Sequence, residues 1–153
     1  MLIIYVDADA CPVKQEVYRV ARRYAMRVVV AANAALHVPP DPLFELVVRA
    51  GFGVVDDWIA EQVDASDIVI TADIPLAARC IAKGTRVLNA KGRELSDNDI
   101  GSVLATRDLM TALRQDGTVT GGPAPMTPKD RSRFLAKLDE IVNAVRRAQA
   151  PKT

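Results

Sequence analysis

Imidazole and thiolate are nearly missing from this chain: its 153 residues include one histidine, His37, and two cysteines, Cys11 and Cys80. That scarcity excludes zinc enzymes needing several nitrogen or sulfur ligands. Without a CxxC spacing, it also argues against structural zinc or a disulfide scaffold. Aromatic residues are few, with three Phe, three Tyr and one Trp, so no array for base stacking is visible and sequence-specific reading of single strands is not expected. No apolar run approaches the roughly 18–20 residues that cross a bilayer. The opening MLIIYVDADACP lacks a basic segment and soon meets Asp7 and Asp9, unlike a signal peptide. These absences predict a cytoplasmic, reduced protein with no membrane attachment.

What is present is a globular balance, half hydrophobic and a quarter charged, in a length suited to one domain over residues 1–153. The formal net charge of +1 hides an asymmetry. Residues 1–40 carry five basic and three acidic groups, residues 41–73 one basic and eight acidic, and residues 74–153 fourteen basic and eight acidic. A solvated acidic face would explain the middle segment; so would a cation site flanked by groups that hold an anion.

Leu2-Ile3-Ile4-Tyr5-Val6 reads as a strand buried on both faces, stopping at Asp7. Val13, Val17, Val20, Ala21 and Tyr24 recur at helical spacing after Pro12, and Arg27–Ala32 is a second strand ending at Asn33. Ala34–Pro42 reads as loop. Leu43, Leu46, Val47 and Ala50 predict a short helix closed by Gly51, then a strand over Gly53–Val55 and a helix over Asp56–Ala65. Ile68–Thr71 is a further strand, and Asp73 caps a helix over Ile74–Lys83. Thr85–Asn89 is again a strand, and Ser96 starts a helix to about Gln115 with Ile100, Val103, Leu104 and Met110 inward. Residues 117–128 read as an exposed loop and 129–148 as an amphipathic C-terminal helix. Strands alternating with helices give an α/β class, a three-layer sandwich with about five mostly parallel strands.

In such a fold, sites form beyond the carboxyl ends of the strands. There lie Asp7 and Asp9, Asn33, and Thr71 with Asp73. Asp7 and Asp73 emerge at one sheet edge if the strands are parallel, and crowded carboxylates must share a proton or a cation. Oxygen ligands with almost no imidazole or thiolate select Mg²⁺ or Mn²⁺. Asp57 and Asp67, flanking the preceding helix, complete the candidate set. Helix capping alone would also account for Asp9 and Asp73 taken singly.

The runs DADACPVK (7–14), DIVITADIPLA (67–77), NAKG (89–92) and GGPAP with DRSRF (121–134) resemble the YaiI/YqxD family of uncharacterised bacterial proteins over nearly the whole chain. That family is in turn similar to the PIN-domain-like metal-dependent nucleases, which implies a PIN-like fold here. The resemblance implies Asp7, with Asp9 beside it, as the first acid and Asp73 as the acid in a T-x-D context. Asp57 would be the intervening helix acid, with Asp56 and Asp64 as competitors, and Glu16 or Glu45 an early-helix glutamate.

The leading expectation is hydrolysis of RNA or another nucleic acid, with Asp7, Asp73 and Asp57 holding metal and Asp9 orienting water. Thr71 would bond a ligand or carboxylate, Asn33 would face substrate, and Lys14, Arg131 and Arg133 would contact phosphates. A second expectation is a haloacid-dehalogenase-like phosphatase, with Asp7 as nucleophile, Asp9 as general acid and Lys83 or Lys91 neutralising charge. It lacks paired acids directly after the strand Thr85–Asn89, since Asp97 and Asp99 come late. A third is a metal- or RNA-binding module without catalysis. Cys11 stands near a helix start, where thiolate is favoured, yet it also suits buried filler. His37 reads as a loop residue, and Cys80 and Trp58 as core. Gly121-Gly122 lacks the lysine and helix of a phosphate loop.

Overall fold

The computed structural model describes residues 2–9, 11–98, 100–101 and 126–149. Strands β1 (Ile3–Asp7), β2 (Arg27–Ala32), β3 (Phe44–Val48), β4 (Ile68–Ile70), β5 (Arg86–Leu88) and β6 (Glu94–Leu95) form one sheet in the order β3-β2-β1-β4-β5-β6. All pairings are parallel except β5 with β6. Helices α1 (Lys14–Tyr24) and α4 (Pro128–Gln149) cover one face, and α2 (Val54–Gln62) and α3 (Ile74–Ala82) the other. The expected three-layer α/β sandwich is present, with six strands instead of five.

Alternation along the strands builds the two cores. Ile4, Val6, Val28, Val30, Ile68 and Ile70 point toward α1 and α4, where they meet Val17, Phe134 and Leu138. Tyr5, Val29, Val69 and Val87 point the other way, onto Ile59, Leu76 and Cys80. Because β1, β2 and β4 bury both sides, their central residues read as unbroken apolar runs.

Two expected elements are corrected. The segment predicted as a helix around Leu43–Ala50 is strand β3, paired with β2 from Val28↔Phe44 to Ala32↔Val48. Its buried residues Phe44 and Val47 stand three apart, which mimics helical spacing. Phe44 is held under α1 by Tyr18, ring centroids 4.9 Å apart. The strand predicted at Gly53–Val55 is instead the first turn of α2. Gly53, at φ +75°, turns the chain into that helix, and Asp56 and Asp57 in the first turn favour it through the helix dipole.

The C-terminal helix starts at Pro128, one residue before the sequence reading. Thr127 Oγ1 accepts from the Asp130 amide and Asp130 Oδ2 from the Thr127 amide, both at 3.1 Å, a reciprocal cap with proline at the first helical position. Of the helix expected from Ser96, the described part has the Ile100 amide on the Ser96 carbonyl at 2.9 Å and Ile100 buried. Val103, Leu104, Met110 and most of the 117–128 loop lie outside the described residues.

Candidate functional site

From β1 the chain winds outward to β2 and β3, then returns through α2 to β4 on the other side of β1. This reversal leaves a crevice beyond the carboxyl ends of β1 and β4, the usual place for a ligand in an open α/β sheet. Asp7 ends β1, and Thr71 and Asp73 follow β4 at the same edge. The crevice is a cavity of about 760 Å³ whose walls include Asp7, Asp9, Asp56 and Asp73.

Each acid is positioned by backbone geometry. Asp7 Oδ2 accepts from the buried Thr71 hydroxyl at 2.8 Å, and Thr71 Oγ1 accepts from the Asp73 amide at 3.0 Å. One hydroxyl thus ties the ends of two neighbouring strands together. Asp73 Oδ1 caps α3 by accepting from the Leu76 amide at 2.9 Å. Asp9 does not cap α1; its carboxylate accepts from the Asn33 amide at 3.0 Å, joining the ends of β1 and β2. Burial pushes the Asp7 carboxyl up to about 6, with Asp56, Asp73 and Asp9 adding repulsion and the Thr71 hydrogen bond opposing it. Asp56 is raised by burial and by Asp73 and Asp57. Asn33, Asn89, Lys91, Cys11 and Phe52 also line the walls.

Several expected site residues lie elsewhere. Asp67 precedes β4 at the amino edge, buried and accepting from the Ile3 and Asp64 amides, both at 3.0 Å. The length of β1, roughly 13 Å at 3.3 Å per residue, separates it from Asp7. Asp64 shares that edge, bonded to Ser66. Asp57 turns outward to Arg79 at 2.6 Å and does not line the cavity; its neighbour Asp56 does, because successive helix residues point about 100° apart.

The expected phosphate contacts are engaged within the chain. Lys14 Nζ donates to the Cys11 carbonyl at 2.8 Å, and Arg131 donates to the Pro12 carbonyl at 2.8 Å and to Glu16 at 3.0 Å. Arg133 stands 3.8 Å from Asp130. Lys83 Nζ donates to the carbonyls of Ala60 and Glu61 at the far end of α2, away from Asp7. Glu45 is exposed on β3 beside Arg27. Burial pushes the Cys11 thiol up, which opposes the reactive alternative that its place near a helix start raises. Cys80 is buried and His37 is exposed in its loop, as expected; Trp58, expected in the core, is half-buried at its margin and packs edge-on against Tyr5. Asp97 is exposed, and Asp99 lies outside the described residues.

Sequence reasoning ranked Asp56 below Asp57 and did not single out Phe52. The Gly-Phe-Gly run at 51–53 was the available signal for Phe52, since a large apolar residue between two glycines has no neighbouring side chains to shield it. Among the described residues, no group of three or more His, Cys, Asp or Glu side chains is arranged to hold a metal ion. No helix among the described residues is long and apolar enough to cross a membrane.

Comparison with known proteins matches residues 5–144 to a family model described as an uncharacterized BCR, YaiI/YqxD family. A UPF0178 protein of Rhodospirillum centenum is 53% identical over 97% of this chain and 100% of its own length. Another, from Rhodopseudomonas palustris strain BisB5, is 51% identical over 96% of this chain and 90% of its own. One from a Bradyrhizobium species is 49% identical over 99% of this chain and 93% of its own. No solved structure matches.

Proposed function

We propose that this chain, which belongs to the uncharacterised YaiI/YqxD family, is a divalent-cation-dependent hydrolase of phosphodiesters in RNA or another nucleic acid. The observation that carries the reading is the convergence of Asp7, Asp9, Asp56 and Asp73 on one cavity at the reversal point of a parallel sheet. Four carboxylates with no imidazole suit a hard cation. Mg²⁺ keeps several waters and is commonly held by one or two carboxylates plus substrate phosphate, so a tight set of three protein ligands is not required. Asp7 and Asp73 are the residues that would hold it, with Asp9 and Asp56 adding negative charge around them.

When bound, Mg²⁺ or Mn²⁺ supplies a water of lowered pKa and neutralises charge on the phosphate. Asp7, ionised above about pH 6 in its buried setting, supplies the central negative charge. Thr71 fixes one Asp7 oxygen, which orients the other. Asp73 keeps Oδ1 on the α3 cap and offers its second oxygen. Asp9, held at the Asn33 amide, would accept a proton from attacking water. Lys91, in the cavity wall, is the residue that would meet substrate phosphate.

The test is cleavage of end-labelled RNA with Mn²⁺, comparing wild type with Asp7→Asn and Asp73→Asn. The reading expects loss of at least a hundredfold in each variant, in line with removal of a group acting in the transition state. Equal residual cleavage in all three proteins would identify a contaminant and end it. Trapping phosphate on Asp7 would replace it with the aspartyl phosphatase reading, and Mn²⁺ binding without turnover with a binding module.

A further inference from the structure

Phe52 is the largest apolar side chain left open to solvent among the described residues, at 107% of its reference exposure, and it lines the acidic cavity. A lone exposed apolar residue is ordinary on a protein surface; this ring is set apart by its place in the wall of the acidic cavity. The backbone holds it there. Gly51 and Gly53 flank it at φ +119° and +75°, both in the region that favours glycine. A Cβ on Gly51 would come within 2.9 Å of the Val54 side chain. The turn into α2 therefore projects Phe52 outward while Val55, three residues on, is buried in the core.

The cavity walls define what sits against this ring. Its acids call for cation-bridged phosphate on the proposed reading, and Lys91 in the wall adds a cationic group that can meet an anion directly. A volume of about 760 Å³ is of the size that takes a small organic ligand, such as one or two nucleotides, and not a duplex. An occupant with phosphate at the acids and a flat apolar face at the rim is a nucleotide within an unpaired strand. We infer that Phe52 is a stacking platform for one nucleobase of a single-stranded nucleic acid whose adjoining phosphate lies at the acidic floor. This deepens the hydrolase reading and rests on it for the phosphate position. One ring receives any base, since every base has a π-face, which agrees with the scarcity of aromatics elsewhere.

The experiment measures binding separately from cleavage. Fluorescence anisotropy with Mg²⁺ compares a labelled ten-nucleotide single-stranded RNA with an abasic strand of the same length. The proteins are the full chain as wild type, Phe52→Ala and Phe52→Trp. Wild type and Phe52→Trp should favour the base-bearing strand about tenfold or more, and Phe52→Ala should lose that preference while binding the abasic strand as wild type does. Because the ring is fully exposed, the alanine variant removes no core packing.

Wild-type affinity for the RNA retained in Phe52→Ala would overturn the inference. So would equal weakening on both strands, no measurable binding by wild type, or self-association that depends on Phe52. Base preference without Mn²⁺-dependent cleavage would remove the hydrolase and keep the platform; cleavage without base preference would do the reverse.

Discussion

At Asp7 two opposing effects meet: burial and three neighbouring acids oppose its charge, while the Thr71 hydroxyl supports it. Burial wins, and the carboxyl rises to about 6 from an ordinary 3.8. Between those values the folded chain keeps a proton that the unfolded chain has released, so stability falls as pH rises through this window. In a dry site that displacement would be worth about 3 kcal/mol; at an open cavity, about 1–2 kcal/mol is expected after screening. Asp7→Asn should therefore melt about 2–8 °C above wild type at pH 8, and the gap should close toward pH 4. Melting curves across that range, without divalent cations, check the sign. A variant less stable than wild type at pH 8 would mean that the charged form is favoured by its surroundings.

At the scale of elements, Asp73 caps α3 and, on the proposed reading, would also hold the cation, two roles that one substitution can separate. Its Oδ1 makes the cap, and the residue lines the cavity. Asparagine caps as well as aspartate, whereas alanine loses about 1 kcal/mol. Urea denaturation should find Asp73→Asn within a few tenths of a kcal/mol of wild type and Asp73→Ala about 1 kcal/mol below it, with both inactive on RNA. Activity retained in Asp73→Asn would leave the residue with its capping role alone. The opposite rim is held by α4: Arg131 bonds Pro12 and Glu16 at the start of α1. Gly92 lies so close to α4 that a Cβ would sit 2.8 Å from the Arg133 backbone. The basic start of this helix fastens the loops around the cavity to the sheet, a structural use for cations that the sequence suggested for phosphate.

Across the whole molecule, 20 basic and 19 acidic groups nearly cancel, and Lys91 is the one cationic side chain among the described residues lining the cavity. Binding of single-stranded RNA should thus depend only weakly on salt. At about 0.7 per phosphate neutralised, one or two contacts give a slope of log affinity against log salt of about −1. Titrations from 50 to 200 mM KCl measure it, and Lys91→Ala should flatten the slope by about 0.7. A slope steeper than about −4 would mean that a broad basic surface binds the strand.

The layers were written plainly in the chain. Unbroken apolar runs at 2–6, 28–32 and 68–70 can be satisfied only in strands covered on both faces, and helical spacing at 13–24 and 134–145 supplies two of the covers. Asp7 and Asp73 were legible for the same reason, as the first acids beyond such runs. Local pattern does not encode which strands become neighbours, so the helical spacing of Leu43, Leu46, Val47 and Ala50 points to a helix where pairing with β2 makes strand β3. Chain order already puts Asp67 before β4 and Asp73 after it, so the two stand at opposite ends of that strand although close in sequence. Grouping them in one site sets that order aside. Nor can local pattern aim a helix, and the one-residue difference between Asp56 in the cavity and Asp57 on Arg79 follows from where Gly53 starts α2. Packing between distant segments made those choices, because the energy that distinguishes them lies in long-range contacts and not in the propensity of any short stretch.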